Sequence, residues 1–322
     1  MVHHGGDIYN NKVNLDFSVN INPLGMPESV KRTLCENTSL GAVYPDISCG
    51  KLLKAVSIRY GVKESDIIFG SGASELFMAI VHALRPKSVS IPIPSFYGYE
   101  YAANAVNAQV TYTKKTEDKA ELVFIGSPNN PDGRICGYDV MKNIDSILVI
   151  DESFIEFAGE EYSLINEYSS HKNMIIVRSF TKAYCMPGIR LAWCVCADEK
   201  IREKIRKNLP EWNVSSIAQQ AGVMCLSEDE YLIKTRELIK KEREIISAAF
   251  DEMGLKYHLS NVNFMLIESE LPLYDELLKK GILIRDCSDF KGLRRGYYRI
   301  AVRTHEENEI LLKALEEIIH DS

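Results

Sequence analysis

Three short apolar runs in this chain each end close to a residue that can do chemistry. Leu122-Val123-Phe124-Ile125 opens into Ser127-Pro128-Asn129-Asn130-Pro131-Asp132-Gly133, and Ile147-Leu148-Val149-Ile150 ends on Asp151. Met174-Ile175-Ile176-Val177 leads through Ser179-Phe180-Thr181 to Lys182, and Arg190 follows eight residues after the lysine. A carboxamide, a carboxylate and an amine therefore stand at three strand ends, with hydroxyls and a guanidinium close behind. This set suits a phosphorylated pyridine aldehyde: an amine for a Schiff base, an acid for the ring nitrogen, cations and donors for the phosphate. One lysine after one strand is normally a solvated cap. Three motifs in this order are what give Lys182 its meaning.

The elements that position these groups alternate short apolar runs with helical patterns from about residue 65 onward. Asp66-Ile67-Ile68-Phe69 precedes Gly70-Ser71-Gly72 and the helix-like Ser74-Glu75-Leu76-Phe77-Met78-Ala79-Ile80-Val81. Further runs fall at 88–91, 108–113, 122–126, 147–150, 174–177 and 191–196. Strands alternating with helices predict a mostly parallel sheet covered on both faces. Ligands of such sheets collect at the carboxyl ends of the strands, where Asn130, Asp151 and Lys182 are expected. Backbone N–H groups of Gly72, Ala73 and Ser74, opening a helix after a strand, suit a phosphate, although a lone glycine turn is a weak signal. After Pro210 the pattern changes to one long charged helix over 228–254, with Leu232, Ile239, Ile246 and Phe250 on one stripe. A strand at 264–267, a helix near 273–280, strands at 282–285 and 297–302 and a terminal helix from about 305 complete an α+β module.

The order and spacing of the motifs resemble the fold-type-I pyridoxal-phosphate (PLP) enzymes of the aspartate aminotransferase superfamily. The resemblance implies an α/β fold: a PLP-binding large domain at 26–225, with a mostly parallel sheet between helices, and a smaller domain formed by both chain ends, 1–25 and 226–322. It makes Lys182 the Schiff-base lysine and later proton carrier, Asp151 the partner of the pyridine nitrogen, and Asn130 a donor to the ring's phenolic oxygen. Ser179 and Arg190 match side-chain ligands of the cofactor phosphate, and Phe96 matches the aromatic that stacks on the ring, ahead of Tyr97. Tyr44 matches a tyrosine that reaches the neighbouring subunit's cofactor phosphate, which implies a homodimer. Arg299 falls where the superfamily binds the substrate α-carboxylate, a group that an arginine fork fits; Arg303 is expected at the surface.

Departures from the general pattern narrow the resemblance. Phe154 stands where related aminotransferases usually carry a tyrosine bonded to the ring oxygen, which leaves more of that bonding to Asn130. Phe at this place, His4-Gly5-Gly6, and Asp16-Phe17-Ser18-Val19-Asn20-Ile21-Asn22-Pro23-Leu24-Gly25 resemble the L-threonine-O-3-phosphate decarboxylases of cobalamin biosynthesis (CobD family). Ile284-Arg285-Asp286-Cys287-Ser288-Asp289-Phe290 is shared more loosely with histidinol-phosphate aminotransferases. The first resemblance implies decarboxylation of L-threonine O-3-phosphate to (R)-1-aminopropan-2-yl phosphate, with His4, Asn20 and Arg285 around the substrate phosphate. The second implies an aminotransferase acting on histidinol phosphate or another amino acid with 2-oxoglutarate.

Composition agrees with this class. A chain of 322 residues with 46% hydrophobic content can bury a large core, and a formal net charge of −7 argues against a nucleic-acid surface. The eight cysteines contain no CxxC pair, so free thiols in a reducing compartment are expected, with no metal site. No apolar run of membrane-spanning length and no signal-peptide pattern at Met1-Val2-His3-His4-Gly5-Gly6 is seen, and a cytoplasmic location is the expectation.

Overall fold

In the computed structural model, which describes residues 5–115, 120–142 and 144–321, the sheet predicted from the apolar runs is present. After the short strand β1 (Leu15–Asp16) come β2 (Ile67–Gly70), β3 (Ser88–Pro92), β4 (Gln109–Thr113), β5 (Leu122–Gly126), β6 (Ile147–Asp151), β7 (Met174–Ser179) and β8 (Ala192–Cys196). The last seven form one sheet in the order β2-β8-β7-β6-β5-β3-β4. β8 runs antiparallel to both its neighbours, and the remaining pairings are parallel.

The central strands read as unbroken apolar runs because both faces are covered. Val123, Ile125, Leu148 and Ile150 pack into one core, while Leu122, Phe124 and Val149 pack into the other. Only the edge strand β4 alternates exposed and less exposed positions, as a half-solvated strand does. The helix Ala73–Leu84 covers one face and begins straight after β2, so its N-terminus lies at the strand end.

The rest of the chain builds a second layer. Strands β9 (Lys256–Tyr257), β10 (Phe264–Glu268), β11 (Ile282–Leu283), β12 (Arg285–Asp286) and β13 (Tyr297–Ala301) follow the long helix Asp229–Met253. The sheet β12-β13-β10-β9 is antiparallel, and β1 from the N-terminal segment pairs in parallel with β11. Phe17, Ile246, Phe250, Ile300 and Leu311 share its core, so both ends of the chain meet here. We put forward 1–25 with 226–322, against 26–225, as the domain division. The terminal helix His305–His320 is started by a capping box between Thr304 and Glu307.

One sequence expectation needs correction. The run 282–285 is two strands, broken at Ile284: β11 pairs with β1 and β12 with β13, in different sheets. A continuous apolar run hides such a change of partner. Arg285 therefore starts a strand where it was expected to end one. The long helix also buries Thr235 and Glu242 within its apolar stripe, which periodicity did not distinguish. Among the described residues no helix is long and apolar enough to cross a membrane, and no group of three potential ligands is placed to hold a metal ion. None of the eight cysteines forms a disulfide in the described residues.

Candidate active site

A cavity of about 480 Å³ opens where the strand ends of the large sheet meet β12, β13 and the N-terminal segment. Its floor comes from the three strand ends. Asp151 is the last residue of β6, Ser179 the last of β7, and Lys182 follows three residues later; all three line the cavity. Alternation along a strand sends the neighbouring residues the other way. Arg178 is fully buried beneath the floor, donating to Glu152 (2.9 Å) and in a fork to Glu160 (3.0 and 2.8 Å). The strand ends are thus tied together from behind.

Asp151 is buried with each carboxylate oxygen engaged. Oδ1 accepts from the Ser153 backbone N–H (2.9 Å) and Oδ2 from the Tyr99 hydroxyl (2.7 Å). Burial pushes its carboxyl up, opposed by these hydrogen bonds and by Lys182. Lys182 is pulled down to about 8, first by burial and then by the nearby cations Arg299 and Arg190. A substantial fraction of neutral amine at neutral pH is what a nucleophilic lysine requires.

The loop carrying Lys182 is braced from a distance. The Asn22 backbone N–H donates to the Lys182 carbonyl (3.1 Å), and its side-chain amide donates to the Ala183 carbonyl (2.7 Å) and to Thr235 (2.8 Å). Tyr231 adds bonds to the carbonyls of Gly25 and Ala183. Asn22 served in the sequence only to mark a resemblance; its structural work depends on contacts that no local pattern displays.

Ala73, Ser74, Ser179, Thr181 and Arg190 gather at one end of the cavity. Ala73 is the first residue of its helix, with Gly72 as N-cap at φ +87°. The positive φ favours glycine at 72, and a Cβ there would displace the Arg190 guanidinium that lies against it. Arg190 itself holds a left-handed backbone, φ 60°, uncommon for a residue with a side chain. Ser179 and Thr181 share a hydroxyl bond of 2.8 Å. N-terminal amides, hydroxyls and a guanidinium around an open space form a cup for a phosphate.

The aromatic wall is Phe96, whose ring lies against Gly98 and packs edge-on to Tyr99 at 5.6 Å. Phe154 lines the opposite side and packs edge-on to Phe264 at 5.1 Å. No hydroxyl is present there, as the sequence stated.

The roof carries two arginines in register across β12 and β13, Arg285 opposite Arg299. Arg299 is buried and donates to Asn130 Oδ1 and to the Ser18 carbonyl (2.6 Å), while its Nε has no partner among the described residues. Burial brings its guanidinium down to about 10. With Asn130 Oδ1 taken, the amide nitrogen is the end left for the cavity. Arg285 instead donates from Nη2 to both carboxylate oxygens of Asp289 (2.7 and 2.9 Å) and from Nη1 to the Asp286 carbonyl, and lies over the Phe290 ring. Asn20 lines the cavity and is buried, with Oδ1 unpartnered among the described residues.

His4 lies outside the described residues, although Gly5 lines the cavity beside Ser18. Tyr44 is remote from its own chain's cavity: it is 81% exposed and packs against Trp212 at 4.9 Å. Arg303 is half-buried and tied to Glu307. Tyr99 was missed by the sequence reading. The available signal was its place three residues after Phe96, the extended residue that caps the helix Tyr97–Ala105, so that its ring meets that of Phe96.

The model of the aminotransferase class I and II family matches residues 12–315. The chain belongs to that family. Its cofactor is pyridoxal 5′-phosphate, and the residues present fit it: a buried carboxylate facing the cavity, an amine held near 8, and a phosphate cup around Gly72 and Arg190. Among relatives, the chain is 34% identical over 98% of its length to the adenosylcobalamin biosynthesis bifunctional protein CobDQ of Leptospira interrogans, of which it spans 41%. It is 30% identical to the threonine-phosphate decarboxylase of Salmonella typhimurium, covering 95% of this chain and 91% of that protein. Among solved structures, the histidinol-phosphate aminotransferase of Clostridium acetobutylicum is 30% identical with a TM-score of 0.90, covering 96% of this chain and all of that one.

Proposed function

We propose that this chain is a PLP-dependent lyase that removes CO2 from L-threonine O-3-phosphate and leaves (R)-1-aminopropan-2-yl phosphate. The observation that carries this reading is the pair of roof arginines. With Arg190 assigned to the cofactor phosphate, Arg299 and Arg285, the latter by exchanging Asp289 for substrate, are the cations available for two anionic groups on one substrate. A phosphorylated amino acid supplies both, a carboxylate and a phosphate. Relatives named for the same reaction, and Phe154 in place of a tyrosine, support it.

PLP, when bound, supplies the electron sink for the bond broken at the substrate's α-carbon. The chain's residues decide which bond that is. Arg299, pre-held by Asn130 and the Ser18 carbonyl, would bind and orient the substrate carboxylate, the group to be lost. Asp151 would hold the cofactor's ring nitrogen and Phe96 would pack against its ring. Lys182 would hold the cofactor and supply a proton to the α-carbon in place of the departed CO2. Asn20, His4 and Arg285 receive the substrate phosphate away from the cofactor's own. In a dimer of this chain Tyr44, exposed on its own surface, completes the partner's phosphate cup.

A second reading, an aminotransferase acting on histidinol phosphate, is favoured by the 0.90 TM-score to such an enzyme. One assay separates them. Purified protein with PLP and L-threonine O-3-phosphate should release CO2 over many turnovers with no keto acid present. Conversion of histidinol phosphate only with 2-oxoglutarate, with no CO2 from phosphothreonine, would establish the second reading instead.

A further inference from the structure

We propose that Tyr99 is a positioning residue for Asp151, whose hydrogen bond fixes the direction of that carboxylate and keeps the active-site proton on the cofactor's ring nitrogen rather than on the acid. Tyr99 is 1% exposed and its ring is clamped on three sides. It stacks on Phe124 (5.0 Å, 4° between planes) and meets Phe77 and Phe96 edge-on at 5.3 and 5.6 Å. That packing leaves its hydroxyl one direction, toward Asp151 Oδ2 at 2.7 Å.

Space for this bond comes from Gly126, which pairs with Asp151 across β5 and β6. A Cβ there would stand 3.1 Å from the Tyr99 hydroxyl oxygen. The glycine lets a tyrosine from the helix Tyr97–Ala105 reach the acid at a neighbouring strand end.

The chemistry follows from the donor count. A buried carboxylate facing a pyridinium has two arrangements for the shared proton: on the nitrogen, leaving an ion pair, or on the acid, leaving two neutral partners. Low polarity favours the neutral arrangement, and hydrogen bonds to the anion favour the ion pair. The Ser153 amide gives one such bond and Tyr99 another, one on each oxygen, and the Ser153 hydroxyl adds a third; Tyr99 is the one donor of these that comes from outside the acid's own strand end. Lys182 is the charged neighbour, and it acts in the same direction while it carries a proton. Burial and Asp151 both push the Tyr99 phenol up, so it remains a donor over the working pH range. The Tyr99–Phe96 contact makes one residue the link between the aromatic wall and the acid.

A structural tyrosine and a positioning tyrosine differ in what Tyr99→Phe changes. The ring packing is kept, so the fold should persist. In the cofactor-free variant, 13C NMR of labelled aspartate should show the Asp151 titration midpoint raised by about one unit, a tenfold change in proton affinity. With 15N-labelled PLP bound, the ring-nitrogen resonance should move from the protonated toward the unprotonated position. Turnover should fall about tenfold with KM within twofold. Placing 3-fluorotyrosine at position 99, similar in shape and a stronger donor, should lower the midpoint. Unchanged Asp151 midpoints and ring-nitrogen resonances in both proteins, with only thermal stability reduced, would overturn the proposal. These readouts do not depend on which substrate is used, so they stand or fall apart from the lyase reading.

Discussion

The floor and the roof of the cavity hold their side chains differently. Floor residues sit at the ends of adjacent parallel strands and mix near partners, as in Ser153 to Asp151 or Thr181 to Ser179, with distant ones, Tyr99 on Asp151 and Asn22 on the lysine loop. In the roof, Arg299 is held only by distant segments, Ser18 and Asn130, 281 and 169 residues away, and Arg285 is paired within its own segment with Asp289. In the proposed reading the floor carries the chemistry and the roof selects the substrate. Each roof arginine has a partner set of its own, so the two are free to differ in pairing.

The difference between the two arginines shows this freedom. Arg299 has neutral acceptors and presents a full charge, whereas Arg285 is already paired with Asp289. They occupy matching positions in the same sheet and face the same cavity.

If the floor holds the chemistry, Lys182→Ala should remove covalent PLP attachment, measured by borohydride reduction and mass spectrometry, and essentially all turnover. A normal reducible linkage at another lysine of the unmutated protein would break the comparison at its base. Asp151→Asn keeps the shape but removes the charge facing the ring nitrogen. It should slow turnover on the order of a hundredfold, about 3 kcal/mol of transition-state stabilisation, with much of the fold retained by circular dichroism. Turnover near that of the wild type would show that the electron sink is organised elsewhere.

The roof should respond in KM instead. Arg285→Ala should raise KM for phosphothreonine roughly thirtyfold, about 2 kcal/mol, the low end for a buried charged contact because Asp289 already offsets part of its charge. PLP affinity, followed by fluorescence, should change little. Equal loss on phosphothreonine and on unphosphorylated threonine would place the phosphate elsewhere.

The smallest expected effect concerns pH. Lys182 lies near 8, below the ordinary 10.5, so its neutral form is fully present above that value and declines as pH falls. Capture of PLP by the cofactor-free protein should therefore speed up through pH 8 and then level off, with the rate at pH 7 roughly a tenth of the plateau. A rate still climbing toward pH 10.5 would show that burial and the neighbouring guanidiniums do not act on this amine.

Legibility in the sequence followed the same division. Parallel strands covered on both faces leave continuous apolar runs, so β5, β6 and β7 were readable, and Asn130, Asp151 and Lys182 could be placed at or just beyond their ends. Phe154 and Arg299 were singled out by resemblance to the family and not by strand pattern. Tyr99 was passed over in favour of Phe96 and Tyr97 because its partner, Asp151, is 52 residues away. The break at Ile284 was invisible because changing from one sheet to another leaves side-chain character unaltered. The Asp289 pairing was unread because nothing in Arg285-Asp286-Cys287-Ser288-Asp289 says which acid the arginine meets.

The Asn22 brace bears on the order in which the protein is made. Its amide joins the lysine loop, 161 residues on, to Thr235, 213 residues on. During synthesis the N-terminal segment and the large sheet emerge first, but the helix Asp229–Met253 that closes the brace emerges only later. The lysine loop therefore reaches its working shape after the sheet beneath it. Chains stalled on the ribosome with that helix still in the exit tunnel should fail to capture PLP, and released chains should capture it. That outcome would make cofactor loading a property of the finished chain.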